Sequence, residues 1–265
     1  MGDAQPPLIT VLMSVYNAEK DLKDSIESIL SQAVKDFEFL IINDGSTDAS
    51  FAIMEGYAAR DKRIRIIDQQ NKGLTKSLNI GVKEARGTYI ARQDADDISY
   101  PIRFEKQLEL FNNNGSVVLV GGVSDDVYPD GSTGQWRFHD EASLQKIVFL
   151  KTPFPHSTVM MRTDICRELG GYDESYRTAQ DMELWMRFAG KGRLAMVEDP
   201  ILKRRVTRDS ITAQSRGRQF YDALRARWSH NKGLGRLCAL YHAVRSLIIG
   251  LLPPGLVLRL KDALK

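Results

Sequence analysis

Residues 8–15 read LITVLMSV, an almost continuous apolar run that ends in the polar loop YNAE at residues 16–19. This pattern is typical of a strand that is buried on both faces. Further apolar runs alternate with helical patterns as far as residue 97. The predicted strands cover residues 8–15, 37–42, 63–68 and 88–92, and the predicted helices centre on residues 22–30, 51–59 and 74–85. This β-α-β-α-β-α-β order predicts a parallel sheet with right-handed crossover connections, an α/β fold.

Three polar loops directly follow strands of this sheet, at residues 16–19, 43–46 and 93–97. In open α/β sheets, ligands bind beyond the carboxyl ends of the strands. The sequence therefore predicts a binding site at that edge.

The chain beyond Pro101 is less regular. It shows helical patterns at residues 103–112 and 181–189, apolar runs at residues 117–121 and 158–161, and a turn-rich stretch at residues 125–134. We expect this second half to pack on the same sheet and not to form a separate domain, and it shows no internal repeat.

Composition excludes several classes of protein. The 265 residues are 43% hydrophobic and 27% charged, with ordinary Gly and Pro content, which excludes disorder, collagen and coiled coil. The two cysteines, Cys166 and Cys238, cannot build a disulfide scaffold or a tetrathiolate zinc site. The sequence also lacks a P-loop, a dinucleotide-binding glycine motif, a nucleophile elbow and zinc-type histidine spacing.

Charge divides the chain into an acidic body and a basic tail. Residues 1–200 carry 23 Lys and Arg against 31 Asp and Glu, whereas residues 201–265 carry 14 against 3. Such a tail suggests an anionic partner, either a membrane surface or nucleic acid, and a solvated basic helix is the simpler alternative.

The end of the tail mixes leucines with arginines. Residues 234–260 predict a helix that lies in the interfacial plane of an anionic bilayer, although the same leucines could cover the body or pair two subunits. No run reaches the roughly 20 apolar residues that a membrane span needs. The first residues lack a signal-peptide pattern, so we expect a cytoplasmic protein, peripheral on the cytoplasmic face of the membrane.

The acidic loop DADD, residues 94–97, carries three carboxylates just past a strand. Divalent cations prefer oxygen ligands, and Mg²⁺ is commonly held by one or two carboxylates together with substrate phosphates. The alternative is structural, because Asp97 and Ser99 could cap the next helix. Asp44 likewise could accept an N–H from a nucleobase, or belong to a glycine turn before a capped helix.

Asp181 follows Thr178 by three residues, which matches a capping box. An ionised carboxylate at this place, in a cleft, could also act as a general base. Trp185, one turn later, could stack on a sugar ring or fill core. His156, in a loop before a strand, could face the site or the solvent.

Together, five segments resemble the family-2 glycosyltransferases, which are inverting enzymes of the GT-A fold. They are, in order, ITVLMSVYNAE (residues 9–19), IINDGSTD (41–48), GLTKSLNIG (73–81), YIARQDADD (89–97) and QDMELWMR (180–187). The resemblance runs over residues 8–212. It implies a Rossmann-like, mostly parallel sheet flanked by helices. We expect a catalytic domain at residues 1–203, with a nucleotide-binding half (about 1–100) and an acceptor half (about 101–203). The basic, leucine-rich sequence that follows predicts an amphipathic helical tail at the C-terminus, residues 204–265.

The resemblance also implies roles for individual residues. The nucleotide-sugar donor would be bound by Tyr16, Asn17, Glu19, Asp44, Lys76 and Asp94. Asp96 and Asp94 would hold Mn²⁺ or Mg²⁺, Asp181 would deprotonate the acceptor, and His156 and Trp185 would lie on the acceptor side. The sequence departs from the family pattern at Gln180, where Glu is frequent, at Asn43, where Asp is frequent, at Ser14, where Pro is common, and at Thr207, where a metal-binding His is common.

We therefore expect an inverting glycosyltransferase that uses a UDP-sugar, or a dTDP-sugar, and a glycan or lipid-linked acceptor in the synthesis of a surface polysaccharide. We expect no nucleic-acid partner. One alternative is a sugar-phosphate nucleotidyltransferase, which would need a glycine-rich first loop with a basic residue. The other is a non-catalytic binding protein whose tail docks on nucleic acid or on another partner.

Overall fold

The computed structural model describes residues 5–138, 143–206 and 216–231, together with 235–237, 240, 241 and 244 of the tail. Its first half follows the predicted alternation of strands and helices. The elements are β1 (Ile9–Val15), α1 (Leu22–Leu30), β2 (Phe37–Asp44), α2 (Ser50–Ala58), β3 (Ile64–Gln69), α3 (Leu74–Glu84) and β4 (Tyr89–Gln93). Strands β3, β2, β1 and β4 are neighbours in that order, and all their pairings are parallel. The parallel sheet predicted for the first half is confirmed.

The second half of the chain continues the same sheet with mixed strand directions. Its elements are β5 (Ile98–Ser99), α4 (Arg103–Asn113), β6 (Val117–Val127), β7 (Thr133–Trp136), α5 (Leu144–Ile147), a 3₁₀ turn (His156–Thr158), β8 (Met160–Arg162), α6 (Thr163–Glu168), α7 (Gln180–Ala189), β9 (Arg193–Arg205) and α8 (Arg216–His230). Strand β8 joins β4 and β6 by antiparallel pairing, and β6 pairs with β9 in parallel. The strand order is β3-β2-β1-β4-β8-β6-β9-β5, with β7 beside β6.

Helices cover both faces of the sheet, because alternate side chains of each buried strand point to opposite faces. On one face, Val11 and Met13 of β1 pack with side chains from α1, α2 and α4. On the other face, Leu12 and Ile90 pack with side chains from α3, α6 and α7. Every residue of β2 is buried, which explains the apolar run at residues 39–42. The result is a three-layer α/β/α architecture.

Strand β9 and the β6–β7 hairpin were not predicted. The sequence of β9 contains Glu198, Asp199 and Pro200, which are typical of turns. Pro200 nevertheless pairs with Val123 of β6, and Glu198 and Asp199 lie at an irregularity of the register. The stretch predicted to be turn-rich contains the end of β6 and the first two residues of β7. In both places, tertiary strand pairing overrides the local composition.

Helix α8 packs against α7 through a small apolar cluster, in which Ala223 and Ala226 contact Met182 and Met186. The predicted tail is therefore helical at residues 216–230, whereas Arg204 and Arg205, which the prediction assigned to the tail, are the last residues of β9. Most of the predicted interfacial helix, residues 234–260, lies outside the described residues. In the part of the chain that the structure covers, no helix is both long and apolar enough to cross a bilayer.

Candidate active site at the carboxyl edge of the sheet

The loops that follow β1 and β2 are bound directly to each other. Asn17 takes a left-handed conformation, with φ of 51°, and its side-chain oxygen accepts the backbone N–H of Thr47 at 2.8 Å. Its own N–H donates to Ser46 Oγ at 3.2 Å, and Glu19 accepts the N–H of Ala49 at 3.0 Å. Asn17 and Glu19 therefore shape this edge by holding backbone amides. Tyr16 is 54% exposed, so its ring is available to a ligand.

Asp44 performs a scaffolding role in this structure. Its carboxylate is 2% exposed and accepts hydrogen bonds from Gln69 Nε2 at 2.8 Å and from the backbone N–H groups of Lys72 and Gly73 at 2.8 and 2.9 Å. Asp44 therefore ties the loop after β3 to the end of β2, and its contact with a nucleobase stays a prediction.

A cavity of about 500 Å³ opens beside this scaffold, between the loops that follow β2 and β3. Asn43, Asp68 and Asn71 contribute polar groups to its wall, and Asn43 donates to Asp68 at 2.6 Å. Lys76 is exposed on the first turn of α3. The cavity lies at the edge where the sequence predicts ligand binding.

The acidic loop after β4 contains three carboxylates in different environments. Asp94 is held by Arg92 at 2.5 Å; burial raises its pKa, but the charge of Arg92 and the hydrogen bonds from Arg92 and Ser157 act together against burial and keep the pKa below the ordinary value. Burial and the nearby charge of Asp94 raise the pKa of Asp96 to about 6. Asp97 is buried and accepts hydrogen bonds from the hydroxyl of Ser157 and, at 3.1 Å, from the N–H of Arg205. Asp97 therefore does not cap α4, as the structural alternative required.

These carboxylates fit a divalent cation that shares its coordination with a substrate. Asp96 lies next to a second carboxylate, and its raised pKa reflects a negative charge that its surroundings do not neutralise. No group of three or more His, Cys, Asp or Glu side chains suited to a metal occurs among the described residues. One or two carboxylates with substrate oxygens match the usual coordination of Mg²⁺, whereas an all-protein cage does not. Thr207, the departure from the family's metal-ligand pattern, lies outside the described residues.

A buried polar network supports the acidic loop from behind. Arg103 of α4 is fully buried and donates to Gln93 Oε1 at 3.0 Å, to Ser99 Oγ at 2.8 Å and to the carbonyl of Arg92 at 2.7 Å. Gln93 in turn donates to the carbonyl of Asp97 at 2.8 Å. Because this network is buried and hydrogen-bonded throughout, it holds the loop rigidly.

Asp181 is the second residue of α7, and one carboxylate oxygen accepts the N–H of Met182 at 2.8 Å. The predicted capping box is wrong, because the hydroxyl of Thr178 donates to Asp222 instead, at 2.9 Å. Burial raises the pKa of Asp181; the N–H of Met182 opposes the rise, and the charge of Asp94 adds to it. Asp181 and the acidic loop thus share one electrostatic environment, and the raised pKa makes this carboxylate a stronger base.

His156 and Trp185 lie beneath this site, and their environments differ from the expectation. Trp185 is 0% exposed and packs on Phe154, with ring centroids 4.8 Å apart, so it fills core and does not present a face to a sugar. His156 shares a hydrogen bond of 2.8 Å between its Nε2 and the hydroxyl of Tyr172. Burial and the charge of Arg92 lower the pKa of His156 to about 3, which keeps the imidazole neutral.

Sequence reasoning missed Arg92, which the structure places at the centre of the site. Its side chain is 0% exposed, and its charge acts on the pKa values of Asp94, His156 and Asp181. Its Nε has no hydrogen-bond partner among the described residues. A charged residue inside a strand predicted to be buried on both faces was the available signal, since such charges are almost always paired.

Comparisons with known proteins match this architecture. The model for the family described as "Glycosyl transferase family 2" matches residues 10–170. The putative glycosyltransferase EpsE of Bacillus subtilis is 40% identical over 191 residues, which cover 70% of this chain and 68% of EpsE. The O-antigen biosynthesis glycosyltransferase WbnJ of Escherichia coli is 31% identical over 182 residues, or 68% of this chain and 71% of WbnJ.

The crystal structure of S. aureus TarS 1-349 in complex with UDP-GlcNAc has the same fold, with a TM-score of 0.68 at 19% identity. The alignment covers 82% of this chain and 65% of that one, so this chain spans slightly less than two thirds of the TarS fragment. The fold and its site define a GT-A glycosyltransferase. The chain belongs to glycosyl transferase family 2.

Proposed function

We propose that this protein is an inverting glycosyltransferase, which transfers a sugar from a nucleoside-diphosphate sugar to a hydroxyl of a glycan or lipid-linked oligosaccharide. UDP is the preferred nucleotide, and TarS, a relative in fold, is known in complex with UDP-GlcNAc. The relative WbnJ acts in O-antigen biosynthesis, which supports a role in building a surface polysaccharide. The observation that carries the proposal is the partly buried carboxylate of Asp181, which shares its electrostatic environment with Asp94 and Arg92 at the carboxyl edge of the sheet.

In the proposed reaction, Asp181 accepts the proton of the acceptor hydroxyl as its oxygen attacks the anomeric carbon. The new glycosidic bond forms while the bond from the anomeric carbon to the phosphate oxygen breaks, and the nucleoside diphosphate leaves with the electron pair. Attack from the face opposite the leaving group inverts the configuration. One base suffices, and no covalent intermediate with the enzyme forms, in contrast to retaining hydrolases.

The surroundings of Asp181 set the pKa of its carboxyl group for this step. Burial favours the neutral acid, so the carboxylate binds a proton more tightly than it would in water, while Arg92 limits the rise of the pKa. Asp96 and Asp94 would hold a divalent cation. A bound cation would supply positive charge where the leaving diphosphate develops negative charge.

The tail supports a location at a membrane. Its excess of Lys and Arg would attract the anionic lipids of a cytoplasmic leaflet, where a lipid-linked acceptor would be exposed. Exposed aromatic side chains on α8, Tyr221 and Trp228, are suited to the interfacial region. We therefore place the reaction at the cytoplasmic face of a membrane.

The test of this proposal is turnover and binding of a panel of nucleotide sugars with Mn²⁺, with Mg²⁺ and with EDTA. We expect metal-dependent turnover of one donor, and we expect Asp181→Asn to lower kcat by at least about 1,000-fold while donor binding survives. Asp164→Asn is the matched control, because Asp164 is exposed in the first turn of α6 and also accepts the next N–H at 2.8 Å.

Unchanged turnover in Asp181→Asn would refute the role of this residue as the base. Neither binding nor turnover of any donor would favour a non-catalytic protein. Release of pyrophosphate from a sugar phosphate and a nucleoside triphosphate would favour the nucleotidyltransferase.

A further inference from the structure

Asp222 of α8 is a fully buried carboxylate that the proposed chemistry does not use. Its Oδ2 accepts the backbone N–H of Thr178 at 3.1 Å and the hydroxyl of Thr178 at 2.9 Å. The same oxygen accepts Nε of Arg218 at 3.1 Å. The other oxygen, Oδ1, is buried without a hydrogen-bond partner among the residues that the structure describes. A buried carboxylate with one unsatisfied oxygen contributes poorly to stability, so its presence calls for another explanation.

The contact holds a strained turn immediately before the base-bearing helix. Ala179, which follows Thr178, has φ of 56°, in the left-handed region that residues with a Cβ rarely adopt. Such a conformation persists only where the surrounding structure enforces it. Helix α7 begins at the next residue, Gln180, and Asp181 follows. The direction in which the carboxylate of Asp181 points therefore depends on the turn at residues 178–179.

Other contacts also join α8 to this region. Arg225 donates to Ser175 Oγ at 2.8 Å and lies over the ring of Tyr176 at 4.3 Å. His230 contacts Glu183 at 2.9 Å in the first turn of α7, and Ala223 and Ala226 share an apolar cluster with Ala179. Among the side-chain contacts described, Asp222 alone bonds to the backbone next to Ala179.

We propose that Asp222 is a positioning residue for Asp181: from a helix that follows the sheet, its carboxylate clamps Thr178 and maintains the left-handed turn that orients the base. This inference rests on the proposed role of Asp181. Asp222 belongs to the basic tail, and its hydrogen bond to Thr178 joins residues 44 positions apart in the sequence. The proposal therefore gives part of the tail a role in the active site.

The experiment compares variants of the full-length chain in steady-state transfer assays. Asp222→Ala should lower kcat by about 10- to 100-fold, since small displacements of a catalytic group are costly. The KM for the donor should change by less than about twofold, because the donor loops are held independently. Asp222→Asn keeps an oxygen that can accept the N–H of Thr178, and it should recover at least about a third of the wild-type kcat.

Thr178→Val removes only the hydroxyl donor and should lower kcat by about threefold. The double variant should be no slower than Asp222→Ala, because both changes act through one contact. Arg225→Ala is the matched control on the same helix, with kcat within about twofold of wild type. Ala226→Gly weakens the apolar cluster that α8 shares with Ala179 but leaves the bond to Thr178 in place, so it reports what a loss of packing does to kcat.

Amide hydrogen exchange gives a second measurement that needs no turnover. Exchange across residues 179–183 should be faster in Asp222→Ala than in wild type or Arg225→Ala. A wild-type kcat in Asp222→Ala would overturn the proposal. So would a fall in kcat no larger than that of Ala226→Gly, when the two variants have the same melting temperature. If Asp222→Ala does not fold, an unchanged kcat in Thr178→Val overturns it. If the wild type turns over no donor, the proposed function fails, and the exchange measurement still decides whether Asp222 holds the turn.

Discussion

At the scale of single residues, Gly45 shows how the carboxyl edge of the sheet is built. Its φ is +73°, and a Cβ placed on it would lie 2.6 Å from the backbone nitrogen of Asn71. This glycine lets the loop after β2 approach the loop after β3, and the neighbouring Asp44 then bonds to that second loop. A residue with a side chain meets both a strained conformation and a collision with backbone.

We expect Gly45→Ala to lower the free energy of unfolding by at least about 2 kcal/mol and to weaken donor binding. Gly131→Ala is the control, because Gly131 also has a positive φ, of +81°, but nothing lies within 4 Å of its Cβ position. That control should cost only about 1 kcal/mol, from the backbone conformation. Urea denaturation and donor titration measure both effects, and equal losses in the two variants would contradict the close-approach argument.

At the scale of elements, α7 is held at its first turn by a buried acid. Glu183 accepts three hydrogen bonds from Arg187, the shortest of 2.6 Å, and contacts His230 of α8 at 2.9 Å. Arg187 also donates to the carbonyls of Leu169 and Gly171, which lie in the loop after α6. Glu183 and Arg187 therefore connect α7 to two neighbouring segments.

This cluster predicts a dependence of stability on pH. Burial raises the pKa of Glu183, but the bonds from His230 and Arg187 outweigh burial and lower the pKa below its ordinary value of 4.5. Since the pKa is lower in the folded state, the stabilisation is fully present above pH 4.5 and is lost as the pH falls through the folded-state pKa.

Glu183→Gln should therefore cost about 2 kcal/mol of unfolding free energy near neutral pH, and the difference from wild type should shrink below pH 4.5. Urea melts over a series of pH values measure this. Glu168→Gln, whose exposed carboxylate pairs with Lys191, is the control and should change little at any pH. A difference that does not vary with pH would contradict the ionic account.

At the scale of the whole molecule, α8 has two faces with different tasks. One face contacts α7 through Asp222 and Ala226, which are buried. The other presents Tyr221 and Trp228, which are 58% and 46% exposed, and Arg236 lies over the Trp228 ring at 5.1 Å. Exposed aromatic rings beside arginines are suited to the interface of an anionic bilayer.

We expect the protein to co-sediment with vesicles that contain anionic phospholipid, with weaker binding as salt increases, because ions screen the tail's charge. Replacing both Tyr221 and Trp228 by Ser should lower the partition coefficient by about tenfold. Tyr128→Ser is the control, since Tyr128 is 40% exposed on the β6–β7 hairpin and distant in sequence from the tail. Equal binding to neutral vesicles would contradict the proposal.

Local sequence patterns determined the β-α alternation of the first half, because buried strands and amphipathic helices have distinct periods. They also located the three loops, since polar residues that directly follow a buried strand fall at one edge of a parallel sheet. Asp181 was singled out by the resemblance of residues 180–187 to the family pattern. The pairing of β9 with β6, the scaffolding by Asp44, the burial of Trp185 and the contact between Asp222 and Thr178 were decided by tertiary structure. Each of these depends on segments far apart in the chain, and neither periodicity nor turn composition specifies which distant partner a side chain meets.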